Sequence, residues 1–147
     1  MIVVHRTSHV PARARGGAYA IGNFDGVHRG HQALLRSATE QAAALGAPAG
    51  VILFEPHPRE FFQPNKPHFR LTPLERKLEL LEQFGLDAAV VLRFDAALAG
   101  LPAQEFIERI VVDALAARHI VVGYDFHFGK ARGAGPETMR GAGEALG

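Results

Sequence analysis

The sequence predicts an α/β sandwich built on a mostly parallel sheet. Three observations carry this. Short apolar runs of strand length alternate with longer segments whose apolar residues recur at helical spacing. Glycine or proline punctuates the junctions between them. The 147 residues, 48% hydrophobic and 21% charged, match one ordinary globular core rather than a disordered, collagen-like or coiled-coil chain. Strand and helix in alternation put helices on the faces of a sheet and ligands at the carboxyl ends of its strands.

Taken in order, residues 1–4 and 18–21 are the first two strands, separated by a loop around Pro11 and Gly16-Gly17. A glycine-containing turn over 22–30 opens a helix over 31–45, with Leu34, Leu35, Ala38, Ala42 and Leu45 as its apolar stripe and Gly46 as its stop. Residues 50–54 are a continuous apolar strand, closed by Pro56 and Pro58. Thr72, Pro73 and Glu75 read as N-cap, first-turn proline and third-position acid. They start a helix with Leu74, Leu78, Leu81 and Phe84 on one face, ending at Gly85. Strand 88–92, helix 103–117 with Phe106 and Ile110 facing the core, and strand 119–122 follow. A polar, glycine-rich segment over 123–135 and a last helix over 136–146 complete the chain. Arg70, Arg76 and Lys77 read as a solvated face bordering the site. His5, His9, His68 and His119 have no partner that the sequence names.

Charge and composition exclude several functions. Sixteen basic against 15 acidic side chains leave a net charge of +1, so a general polyanion-binding surface is not indicated, no nucleic-acid partner is expected, and any phosphate site is local. The absence of cysteine removes disulfide scaffolds, Cys-ligated zinc and thiol catalysis. Arg6, His9, Arg13 and Arg15 interrupt the start, where no signal-peptide apolar region occurs, and no later apolar run approaches the roughly 20 residues of a membrane span. A cytoplasmic protein without a membrane partner is expected.

The densest chemistry is the segment Ile21-Gly22-Asn23-Phe24-Asp25-Gly26-Val27-His28-Arg29-Gly30-His31. Glycines there let the backbone approach a ligand, and the N–H groups and positive dipole end of the following helix favour an anion such as phosphate. His28 and His31 either donate charge-assisted hydrogen bonds to phosphate oxygens or cap a turn. Asp25 either orients a histidine, holds turn N–H groups, or meets the ligand directly. A zinc site is the weaker reading, because no HExxH pattern occurs. Gly123 with Gly129-Lys130 is not a P-loop: the spacing is one residue too long, and Ala131 stands where Ser or Thr would hold Mg²⁺.

Phe24-Asp25-Gly26-Val27-His28-Arg29-Gly30-His31 resembles the HxGH signature of the nucleotidylyltransferase superfamily, in the form GxFDGxHxGH. That motif alone also suits cytidylyltransferases. Phe54-Glu55-Pro56-His57-Pro58 resembles an FxPHP segment, Leu71-Thr72 with Lys77 an LTxxxxK stretch, and residues 122–130 the VGxDFxFGK segment of bacterial FAD synthetase. Phe94, Leu101 and Glu105-Phe106 also fit, all in the family's order and spacing.

The resemblance implies a three-layer, Rossmann-like nucleotidylyltransferase fold and the reaction of FMN with ATP to give FAD and pyrophosphate. It assigns His28 and His31 to catalysis. Gly22, Asn23, Phe24, Asp25, Gly26 and Gly30 go to ATP, and Pro56, His57, Pro58, Asp125, Phe126 and Phe128 to the flavin. Lys130 and Arg132 are either phosphate partners or a solvated basic loop. Mg²⁺ is expected with ATP, held by nucleotide oxygens and water rather than by a protein cage. The family's ISSTxIR-type motif and its C-terminal riboflavin kinase domain have no counterpart in these residues. Residues 1–147 are therefore expected to be an FMN adenylyltransferase domain incomplete at its C-terminus, either active or a binding fragment.

Overall fold

The computed structural model of the chain describes residues 1–22, 24, 29–55, 74–93 and 95–122. Its strands are β1 (Ile2–Val4), β2 (Ala18–Ile21), β3 (Ala49–Glu55), β4 (Ala88–Arg93) and β5 (His119–Val122). Its helices are α1 (Arg29–Leu45), α2 (Leu74–Gln83), α3 (Ala96–Ala99) and α4 (Ala103–Phe106), the last running on as wider π-helical turns over Ile107–Ala114. Two short 3-10 turns, Thr7–His9 and Ala12–Ala14, link β1 to β2.

The sheet order is β1-β4-β3-β2-β5, and all four pairings are parallel. Parallel strands covered on both faces read as unbroken apolar runs. All of β2 is buried accordingly, as are the first six residues of β3 and the first five of β4. Alternate residues serve opposite layers. Tyr19, Ile21, Ile52, Phe54, Val90 and Leu92 pack with Phe106, Ile110 and Leu115. On the other face Ala18, Ala20, Val51, Leu53, Ala89 and Val91 pack with Leu35, Ala38 and Ala42 of α1 and Leu81 of α2. The result is the α/β sandwich on a parallel sheet that the alternation predicts, in the three-layer, Rossmann-like form that the resemblance implies.

Local chemistry fixes the ends of these elements. Gly46, at φ +64°, closes α1: its N–H donates to the Ala43 carbonyl at 3.2 Å and the Ala47 N–H to Ala42 at 2.9 Å, a Schellman arrangement. Arg118 donates to the Leu45 carbonyl at 3.1 Å, and Arg15 to the Asp113 and Ala114 carbonyls at 3.1 and 3.2 Å. Two arginines thus satisfy acceptors at the negative ends of both major helices. Asp87 ties β3 to β4, accepting from the Ala49 N–H at 3.0 Å through its carboxylate while its own N–H donates to the Ala49 carbonyl at 2.7 Å. Gly50 leaves room for the Tyr19 ring; a Cβ there would run into that ring and lie 2.9 Å from the Ala88 carbonyl oxygen.

Several expectations are corrected. The helix of 103–117 is not uniform, and it ends at Ala114 because Ala116 takes φ +50°, a left-handed turn made without the glycine that signals one. Leu45 and Phe84, placed in apolar stripes, are 38% and 37% exposed, since each sits at a helix end past the last residue that faces the sheet. Lys77 is not on a solvated face but 4% exposed. It stands three residues after Leu74 and four before Leu81, so it shares their face and its long stem is covered with theirs. Arg76, one position round, is exposed and pairs with Glu79 at 2.8 Å. Arg70 and the helix over 136–146 lie outside the described residues, as do Thr72, Pro73 and His68.

Candidate active site at the carboxyl edge of the sheet

The chain steps from β2 to β3 to β4 in one direction and then returns to place β5 on the opposite side of β2. The order therefore reverses between β2 and β5, and the carboxyl ends there border the crevice in which open α/β sheets bind ligands. In register, Ile21 lies beside Val122 on one side and Ile52 on the other. The three strands that lead into residues 22–31, 56–58 and 123–130 are thus immediate neighbours, although those segments are far apart in sequence.

Gly22 continues the β2 pairing one residue past the strand, its N–H donating to the Ile52 carbonyl at 3.2 Å. Phe24 follows at φ +54°, a conformation uncommon for any residue but glycine, with its side chain fully buried. Holding a non-glycine residue there costs on the order of 1–3 kcal/mol. Burying the phenyl ring contributes about 1.5–3 kcal/mol, so the packing offsets the turn. The ring joins Leu35 and Ala38 of α1 and meets the His31 imidazole edge to face, with centroids 5.2 Å apart and an interplanar angle of 65°.

His31 is the third residue of α1 and is half-buried. The first turn of this 17-residue helix carries no acidic side chain, so none of its own residues offsets the positive dipole end. Gly30 lies in the same turn. Of the expected site residues, Gly22, Phe24, Gly30 and His31 are therefore brought together at the mouth of α1. Asn23, Asp25, Gly26, His28, Pro56, His57, Pro58, Asp125, Phe126, Phe128, Lys130 and Arg132 lie outside the described residues.

Two charged residues on this edge are not among the expected site residues, although Glu55 falls inside the FxPHP-like segment. Glu55 and Arg93 stand opposite each other at the carboxyl ends of β3 and β4, half-buried and exposed respectively. Their shared sequence signal is a charge directly ending each apolar run. Among the described residues no group of three His, Cys, Asp or Glu stands close enough to hold a metal ion, and no helix is long and apolar enough to cross a membrane.

The family model for FAD synthetase matches residues 10–147. The chain belongs to the FAD synthetase family. It is 50% identical over 115 residues to the bifunctional riboflavin kinase/FMN adenylyltransferase of Pseudomonas fluorescens, covering 78% of this chain and 37% of that protein. It is 43% identical over 129 residues to the protein of the same name from Escherichia coli K12, covering 88% and 41%. The chain thus spans about two-fifths of the length of these FAD synthetase relatives. A crystal structure of a macrolide-efflux protein from Streptococcus pneumoniae superposes with a TM-score of 0.80 at 25% identity, over 96% of this chain and 46% of that one. This likeness supports the Rossmann-like fold; the efflux in its name is said of that protein alone.

Proposed function

We propose that residues 1–147 are the adenylyltransferase part of a longer FAD synthetase, transferring the adenylyl group of ATP to FMN to give FAD and pyrophosphate. The observation that carries this reading is the FAD synthetase match over residues 10–147, laid on a sheet whose order reverses at the strand leading to Gly22 and α1. In the reaction a terminal phosphate oxygen of FMN attacks the α-phosphorus of ATP in line. A new P–O bond forms, the bond from the α-phosphorus to the bridging oxygen breaks, and pyrophosphate leaves with the electron pair. The nucleophile is already an anion at neutral pH, so positioning and charge stabilisation carry most of the rate.

In this reading His28 and His31 take the charge developing on the triphosphate at the positive end of α1. Gly22, Asn23, Phe24, Asp25, Gly26 and Gly30 form the ATP side, and Pro56, His57, Pro58, Asp125, Phe126 and Phe128 border the flavin. Mg²⁺ enters with the nucleotide, and no described residue is assigned to hold it. The remainder of the parent protein phosphorylates riboflavin to FMN, and the whole works in the cytoplasm without a nucleic-acid or membrane partner.

The test is product formation. The 147-residue chain and the full-length protein are each incubated with FMN, Mg²⁺ and either ATP or CTP, and flavin products are separated chromatographically. FAD from ATP with the full-length protein, and nothing from CTP, is expected. The short chain is expected to bind nucleotide or flavin weakly and to make little FAD. A cytidylyl product, or no adenylyl transfer by the full-length protein, contradicts the reading. Comparable FAD rates from both proteins would show that residues 1–147 hold a complete site.

A further inference from the structure

Phe24 unites a left-handed backbone at φ +54°, complete burial, and an edge-to-face contact with the His31 imidazole at 5.2 Å. Packing alone does not call for this combination. The same apolar cluster takes Leu35, Ala38 and Ala42 from α1 in ordinary helical backbone. What the left-handed residue supplies is direction. It brings a ring that has just left the end of β2 back against the first turn of α1. Gly22 lies beside that ring: a Cβ added there would stand 3.4 Å from the Phe24 Cε2.

We propose that Phe24 is a positioning residue for His31. Its ring closes one side of the imidazole, limits rotation about the bond that joins the imidazole to its side-chain methylene, and holds the nitrogens in the one orientation that serves the reaction. Phe24 then acts on the triphosphate through His31 and touches no nucleotide with its own buried side chain. This inference rests on the reading of His31 given above.

The test is a double-mutant cycle in the full-length protein, reading kcat and the KM for FMN separately. Phe24→Leu keeps most of the apolar volume and loses the ring. It is expected to lower kcat by roughly tenfold to a hundredfold, the scale of a small misplacement of a reacting group, with the KM for FMN unchanged. In a His31→Ala background the same substitution is expected to change kcat by less than about twofold, because coupled residues are not additive. An equal loss in both backgrounds overturns the inference, as does wild-type turnover of Phe24→Leu. If His31→Ala itself turns over normally, the catalytic reading of His31 falls and this inference with it, which distinguishes the two failures. Should Phe24→Leu not fold, proton NMR of the wild-type chain decides. Cross-relaxation between the Phe24 and His31 rings and a single restricted imidazole conformation are expected, and free rotation of the imidazole overturns the proposal.

Discussion

Phe24 and His31 meet edge to face, their ring centroids 5.2 Å apart and their planes at 65°, across the junction where β2 gives way to α1. Offset and edge-to-face ring pairs contribute about 0.5–1.5 kcal/mol beyond area burial. The contact joins the buried end of β2 to the helix mouth on which the proposed chemistry depends.

Gly22, next to that contact, separates a glycine needed by the fold from one needed by a ligand. Its φ is not among the positive ones of the described residues, and an added Cβ would meet the Phe24 ring only at 3.4–3.8 Å, ordinary van der Waals distance. Gly22→Ala is thus expected to leave stability unchanged or raise it by about 0.5 kcal/mol. If the backbone approaches the nucleotide there, the same variant raises the KM for ATP. Thermal unfolding and steady-state kinetics check both halves, and an unaltered KM removes Gly22 from the nucleotide site.

Tyr19 is expected to give the fold an alkaline limit. Its hydroxyl is buried and donates to the Ala14 carbonyl, and its pKa is pushed up from 10.0 to about 12, first by burial and then by the charge of Asp87. A folded-state pKa above the unfolded one means that the contribution is complete below pH 10. It is lost as pH rises toward 12, when the unfolded chain ionises and the folded one resists. A raise of this size corresponds to roughly 2–3 kcal/mol. Unfolding free energy should fall across that window in the wild type and fall less in Tyr19→Phe. The variant also costs about 1–3 kcal/mol at neutral pH for the buried carbonyl it leaves unsatisfied. Parallel curves for the two proteins above pH 10 would show that Tyr19 does not set the limit.

Ala116 is a left-handed residue of the same kind as Phe24, without the compensating ring. A residue with a Cβ in that conformation costs about 1–2 kcal/mol relative to glycine, while glycine loses some of the gain through its freer unfolded chain. Ala116→Gly is expected to stabilise the chain by about 1 kcal/mol, read as a rise in Tm. A lowered Tm would mean that the methyl group contributes packing at the end of the π-helical turns that outweighs the strain.

What the sequence shows of this molecule follows from where its signals are local. The runs ending at Ile21, Phe54 and Leu92 read as strands because both faces are covered, and Gly46 marks the end of α1 because a Schellman turn asks for glycine. The end at Ala116 is silent because an alanine does a glycine's work there. Asp95 caps the short α3 through the Leu98 N–H at 3.0 Å, a signal present in the sequence but followed by too few residues to register. Lys77 reads as solvated by its charge, while its position between Leu74 and Leu81 buries it. At the candidate site, the motif singles out His31 and Gly22, and the structure places both where β2 gives way to α1. The adjacency of the β2, β3 and β5 ends is a property of sheet order, which no local pattern encodes. The left-handed Phe24 likewise shows only in three dimensions.

The central claim is that His31, at the positive end of α1, stabilises charge on the transferring nucleotide. The direct measurement compares His31→Ala with the wild type in the full-length protein, taking kcat for FAD formation together with FMN affinity. Losing one preorganised donor of this kind typically lowers the rate by about 10² to 10³, near 3–4 kcal/mol. The account predicts a loss on that scale with FMN binding close to that of the wild type. Wild-type turnover in His31→Ala, or a loss matched by an equal weakening of FMN binding, would contradict it.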